Sequence, residues 1–188
     1  CLDRAGVVAD GPTHHGIHDL AFWRAVPNLD VLQPADVREQ GEMLKALLER
    51  GRPGLMRYPK GDGSPLATQA PAPLEWGRAV VLRQGTDAAL WALGREASTA
   101  LATAELLAAT GTETTVVNPR FVVPLDGERL REHAAAMPLI TLEDHVTAGG
   151  FAAVVTEALA GQTTGRRLAL GWPRSVVPWG PVPAVREA

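Results

Sequence analysis

The chain reads as an α/β fold, a mostly parallel sheet with helices on both faces. Three observations predict it. Short aliphatic or β-branched runs alternate with helical patterns along the length, the order that parallel strands with crossover helices require. Capping carboxylates ahead of the helical stretches and glycines behind them mark starts and stops. Apolar residues make up 46% of the 188 positions, enough for a substantial core.

The elements follow in order. Asp3–Asp19 (DRAGVVADGPTHHGIHD) packs one arginine, three carboxylates and three histidines between glycines at 6, 11 and 16. Almost no aliphatic periodicity follows Val7–Val8, so the stretch reads as a site loop or a solvated surface loop. Leu20–Val26 is a short helix ended by Pro27–Asn28, and Leu29–Leu32 a short strand. Asp36 and Glu39 are spaced as a capping box for a helix to Arg50, with Val37, Leu44, Leu47 and Leu48 as its inner face and Gly51 as its C-terminal cap. Gly54–Tyr58 is the next strand. Residues 61–75, rich in proline and glycine, read as a domain linker.

A second unit follows. Strands are predicted over 78–83 and 88–93, then a helix capped by Ser98 or Thr99 with Leu101, Ala104, Leu107 and Ala108 inward. Thr114–Asn118 is a β-branched strand, Asp126 caps a helix through Ala136, and Leu139–Leu142 is another strand. Gly149–Gly150 lead into a helix burying Phe151, Val154, Val155, Ala158 and Leu159; a strand over 167–171 and a proline-rich tail complete the chain.

Composition excludes several classes. Net charge is −3 with no basic tract, against a nucleic-acid partner. Cys1 is the single cysteine, so no internal disulfide forms and a reducing cytoplasm fits. Apolar runs fall well short of the roughly 20 residues of a membrane span. The opening CLDRAG reads as the end of a strand begun elsewhere, one piece of a larger chain.

Three places can carry chemistry. In the loop, His14 and His18 have the spacing of a zinc pair, but Gly11, Pro12 and Gly16 work against the helix that pair needs, so no metal site is expected. A catalytic or binding use is more economical. An imidazole moves protons near pH 7, a carboxylate such as Asp10 can fix its tautomer, and Arg4 offers a fork for phosphate or carboxylate. The plain alternatives are a turn role for Asp10 and a surface ion pair of Arg4 with Asp3 or Asp19. Second, Arg57 and Lys60 close a strand at the sheet edge where α/β ligands bind. If residues 1–3 end the neighbouring strand, Arg4 and Lys60 emerge together and predict an anionic substrate, most simply a phosphate; Lys60 can equally be a solvated charge at the linker entrance. Third, Glu143, Asp144 and His145 before Gly149–Gly150 could form an acid–base cluster beside an anion-binding helix start, or the glycines could serve close helix packing.

DRAGVVADGPTHHG, LAFWRAVPNLDVLQPAD, MRYPKG, VVNPRFVVPLDGERL, LITLEDHVTAGGFAAVV and LGWP together resemble the C-terminal half of the 1-deoxy-D-xylulose-5-phosphate synthases, thiamine-diphosphate enzymes of the transketolase family. The resemblance implies the end of a pyrimidine-binding domain over residues 1–60, a linker over 61–75 and a transketolase-type C-terminal domain over 76–188. It implies that Arg4 and Lys60 hold the phosphate of glyceraldehyde 3-phosphate, and that Asp10 and His14 orient the aldehyde and move protons. The implied reaction condenses pyruvate with that aldehyde to 1-deoxy-D-xylulose 5-phosphate and CO2, the first step of non-mevalonate isoprenoid precursor synthesis. Thiamine diphosphate and Mg2+ would be bound mainly by parts outside this chain, so the chain needs an N-terminal portion for activity, and a homodimer is expected. The sequence departs from the family pattern in four places. The loop is one residue shorter between Arg4 and Asp10, Lys60 replaces an arginine, Val123 a lysine, and His18 an aromatic. A divergent transketolase-like or 2-oxo-acid enzyme subunit and a non-catalytic dimerisation or regulatory module are the alternatives.

Overall fold

The computed structural model describes residues 1–61, 66, 73–162 and 165–187. Its N-terminal part contains α1 (Asp19–Trp23), β1 (Asp30–Leu32), α2 (Val37–Arg50) and β2 (Gly54–Met56). Then come β3 (Val80–Arg83), β4 (Ala88–Ala92), α3 (Glu96–Ala108), β5 (Thr114–Asn118), β6 (Phe121–Val123), α4 (Gly127–Ala136), β7 (Leu139–Val146), α5 (Phe151–Ala158), β8 (Arg167–Trp172) and α6 (Val182–Glu187). Most of the expected linker, 62–65 and 67–72, lies outside the described residues.

The larger sheet has the order β3-β5-β4-β7-β8, parallel throughout except for β3, which runs antiparallel to β5. Every residue of β4 and β5 is buried, as strands between two helical layers should be. Alternate side chains point to opposite faces. Leu90, Ala92 and Val116 pack on Ala100 and Ala104 of α3, while Ala89, Trp91 and Val117 meet Leu130 of α4 and Phe151 and Val155 of α5. That second cluster also takes in Leu20, Val31 and Leu55 from the N-terminal part, so one core spans both parts.

The smaller sheet has the order β2-β1-β6, with β1 parallel to β2 and antiparallel to β6. Leu2 adds a parallel bridge to Arg57 just past β2, its N–H donating to Met56 O at 2.9 Å and its carbonyl accepting from Tyr58 at 2.9 Å. The residues before Arg4 thus run beside β2 as expected, and Arg4 and Lys60 leave neighbouring parallel segments at one end.

Several local expectations are corrected. The inner side of α2 is Glu39 and Met43, with Leu47 partly covered; Val37, Leu44 and Leu48 are exposed. An ion pair from Glu39 to the buried Arg120 at 2.6 Å sets that rotation. Helix α3 starts at Glu96 rather than at a Ser98 or Thr99 cap, and its buried side is the alanine row 97, 100 and 104. Strand β7 continues to Val146 and so contains Glu143–His145, and the tail ends in α6. Strand β6 was not expected; three residues between Pro119 and Pro124 are too few to show a period.

Candidate active site

Backbone hydrogen bonds close both ends of the Asp3–Asp19 loop. Ala5 N–H donates to Tyr58 O at 3.0 Å, and Gly16 N–H to Gly6 O at 2.8 Å. The glycines are needed where strands of the loop meet: a Cβ on Gly16 would stand 2.0 Å from Arg4 O, and Gly6, at φ +82°, would put one 2.1 Å from the Asp144 carboxylate. Inside this closure, Val8 N–H donates to His15 Nδ1 at 3.1 Å, which leaves the proton of a neutral ring on the buried Nε2. Pro12–His14 forms one 3-10 turn.

Three of the four predicted site residues come together. Lys60 Nζ donates to both oxygens of Asp10, at 2.8 and 2.6 Å, and Arg4 Nε lies 3.6 Å from Asp10 Oδ2. The hydrogen bond from Lys60, with Arg4 beside it, holds the Asp10 carboxyl below the usual carboxylate range. All three side chains are partly exposed, so the charges face the solvent side of the loop. His14 is not part of this cluster: it is exposed on its turn, with Nδ1 3.3 Å from Thr13 Oγ1. Lys60 and Tyr58 also line a cleft of about 1150 Å3 that runs between the loop, the start of α2, and Arg95 and Ser98 at the start of α3.

The other two places noted in the sequence take different roles. Arg57 is fully buried and does not face the cleft. It donates to Gln33 Oε1 at 2.6 Å, to Asp144 O at 2.8 Å and to Gly16 O, and lies 3.5 Å from Asp19. Burial raises the pKa of Asp19, with the Arg57 charge opposing the rise. Glu143 accepts from the N–H groups of Phe151 at 2.6 Å and Ala152 at 2.8 Å, so the helix start read as an anion site is filled by the chain's own carboxylate. Burial pushes Glu143 up to about 7 even though both N–H groups favour its ionised form. His145 Nε2 accepts from Leu20 N–H at 3.0 Å and Nδ1 donates to Val146 O at 2.7 Å; burial, aided by the Arg57 charge, lowers its pKa to about 4. These residues form a seam between the N-terminal part and β7, with their hydrogen bonds taken up by the fold.

Residues 1–64 match the profile of the transketolase pyrimidine-binding domain, and residues 77–187 that of the transketolase C-terminal domain. The chain belongs to the transketolase family. This transketolase-family chain is 46% identical over 162 residues to 1-deoxy-D-xylulose-5-phosphate synthase of Synechococcus sp. (strain WH7803), covering 84% of this chain and 25% of the relative. It is 38% identical over 193 residues to the synthase of Methylacidiphilum infernorum (isolate V4), covering 100% and 30%. The chain therefore spans between a quarter and a third of the length of these relatives. Among solved structures, a split gene transketolase described as an inactive β4 tetramer aligns with a TM-score of 0.85 and 30% identity over 94% of this chain and 58% of that one. A mutant transketolase from Pichia stipitis shares the fold at TM-score 0.75 and 22% identity, over 99% and 26%.

Family membership implies thiamine diphosphate. Among the described residues no group of three His, Cys, Asp or Glu side chains is arranged to hold a metal ion.

Proposed function

We propose that this chain supplies the acceptor half of a 1-deoxy-D-xylulose-5-phosphate synthase site, joining pyruvate to D-glyceraldehyde 3-phosphate with loss of CO2. The observation that carries the reading is the meeting of Arg4, Asp10 and Lys60 at the ends of neighbouring parallel segments, although the two cations stand 56 positions apart in sequence. When bound, thiamine diphosphate provides the electron sink that lets pyruvate act as a two-carbon donor.

The chain's own residues handle the aldehyde. Lys60 and Arg4 bind its phosphate, a dianion that competes with the single charge of Asp10 for the same ammonium. Exchanging partners frees the Asp10 carboxylate to orient the aldehyde end, and His14, exposed on the same loop, moves a proton at the aldehyde oxygen. Lysine at 60 gives charge without a bidentate fork, so phosphate recognition rests on Coulomb attraction more than on fixed geometry.

The chain acts with an N-terminal portion that holds the cofactor and Mg2+, in a cytoplasmic homodimer, and is inactive alone. The β4 tetramer of a split gene transketolase, inactive by its own description, supports that dependence. Among the described residues no helix is long and apolar enough to cross a membrane. The test is Lys60→Ala in the complete enzyme. The KM for glyceraldehyde 3-phosphate should rise roughly tenfold or more while that for pyruvate stays put, as expected for loss of one charge-assisted contact. Equal effects on both substrates would overturn the phosphate assignment.

A further inference from the structure

From the end of β8 the chain turns back over the site loop and is fastened to the loop, to β7 and to α3. Trp172 Nε1 donates to Asp144 Oδ1 at 2.7 Å, next to Gly6. Val177 and Val185 are buried with Val7 and Ile17 of the loop and Val146 of β7. Arg186 pairs with Asp144 Oδ2 at 2.7 Å and with Glu96. The contact nearest the charged cluster is the last: Trp179 Nε1 donates to Ala9 O at 2.7 Å.

The Ala9 carbonyl and the Asp10 nitrogen belong to one planar peptide unit. Holding that oxygen fixes the plane from which the Asp10 side chain departs, on a loop whose neighbouring residue, Gly11, stands at φ +112° with nothing within 4 Å of where a Cβ would lie. Burial does not account for the tryptophan's place, because it remains 65% exposed. Its indole N–H is what ties it down.

We propose that Trp179 is a positioning residue, and that through the Ala9 carbonyl the C-terminal tail sets where Asp10 stands relative to Lys60 and Arg4. The inference rests on the acceptor-site reading above, and it makes the tail a working part of that site.

The experiment compares Trp179→Phe and Trp179→Ala in the complete enzyme. Amide exchange is followed in peptides covering residues 3–16, with a β4 peptide as control. Both variants should speed exchange in the loop by roughly three- to tenfold, the scale of one hydrogen bond, and leave β4 unchanged. The KM for glyceraldehyde 3-phosphate should rise by a similar factor with the KM for pyruvate unmoved. Wild-type exchange in the Phe variant would show that the ring and not its N–H matters, and would overturn the proposal. Faster exchange with an unmoved KM would make the tail a brace without a part in the site, and would overturn it as well. Lys60→Ala is measured alongside. If that variant also leaves the aldehyde KM unmoved, the phosphate reading has failed, and exchange alone decides whether Trp179 holds the loop.

Discussion

Two regions of this chain are dense in ionisable side chains, and they behave in opposite ways. In the loop cluster, Arg4, Asp10 and Lys60 keep about a third to a half of their side-chain surface in solvent, and among the described residues their ion pairs are with one another and with Asp3. In the seam, Arg57, Glu143, Asp144 and His145 are buried, and backbone groups take most of their hydrogen bonds. A charge whose bonds end on the backbone is committed to the fold. A charge paired with another exposed charge can change partners when an anion arrives.

That contrast can be broken most forcefully at Arg57. Replacing it by alanine leaves Gly16 O, Asp144 O, Gln33 Oε1 and the Asp19 carboxylate without their cation. We expect a loss of about 3–5 kcal/mol in chemical denaturation, the scale for removing one partner from a buried ionic network. A stable Arg57→Ala protein would erase the distinction drawn here.

A smaller effect concerns acid. Glu143, raised from 4.5 to about 7 in the folded chain, contributes stability that is complete below pH 4.5 and is lost as pH rises through about 7. His145, lowered from 6.5 to about 4, contributes stability present above pH 6.5 and lost as pH falls towards about 4. Between pH 4.5 and 6.5 the two slopes oppose. His145→Gln keeps an acceptor for Leu20 N–H and removes the second slope. When denaturation is measured at pH 5 and at pH 7, the variant should therefore gain stability at pH 5 relative to wild type, by an amount on the order of 1–2 kcal/mol. Equal changes in the two proteins would mean that the imidazole is not kept neutral by the seam.

The smallest change is expected at Asp10. Asp10→Asn removes the charge that Lys60 and Arg4 share, yet an exposed pair contributes little to folding. The melting temperature should stay where it was, and a fall comparable to that of Arg57→Ala would place the loop cluster with the seam.

Much of the α/β order was legible because its signals are local. Asp36 and Asp126 accept from the N–H groups of the helices that follow them, as their spacing announced, and Gly51 closes α2 in the left-handed conformation. Parallel strands with covered faces produce apolar runs that can be read directly. What stayed hidden depends on partners distant in sequence. Glu39 looked like half of a capping box, and its oxygens also take Asn118 and Arg120 from about eighty residues away. The burial of Arg57, and its separation from Lys60 three residues on, has no local signature. Arg4 and Lys60 were legible from strand ends expected to lie side by side, and DRAG and RYPKG pointed to the same pair through resemblance, while Trp179 carried no motif at all, sitting in a proline-rich stretch with no period to place it.

Strand β6 stitches the two matched regions together. Val123 and Phe121, from the region matching the C-terminal domain, pair with Val31 and Leu32 from the region matching the pyrimidine-binding domain. Without them β1 would present a bare hydrogen-bonding margin, an invitation to self-association. The two regions are therefore not interchangeable modules: a chimera that borrows either one from a distant relative must also bring a matching margin, or it will assemble with the wrong neighbour.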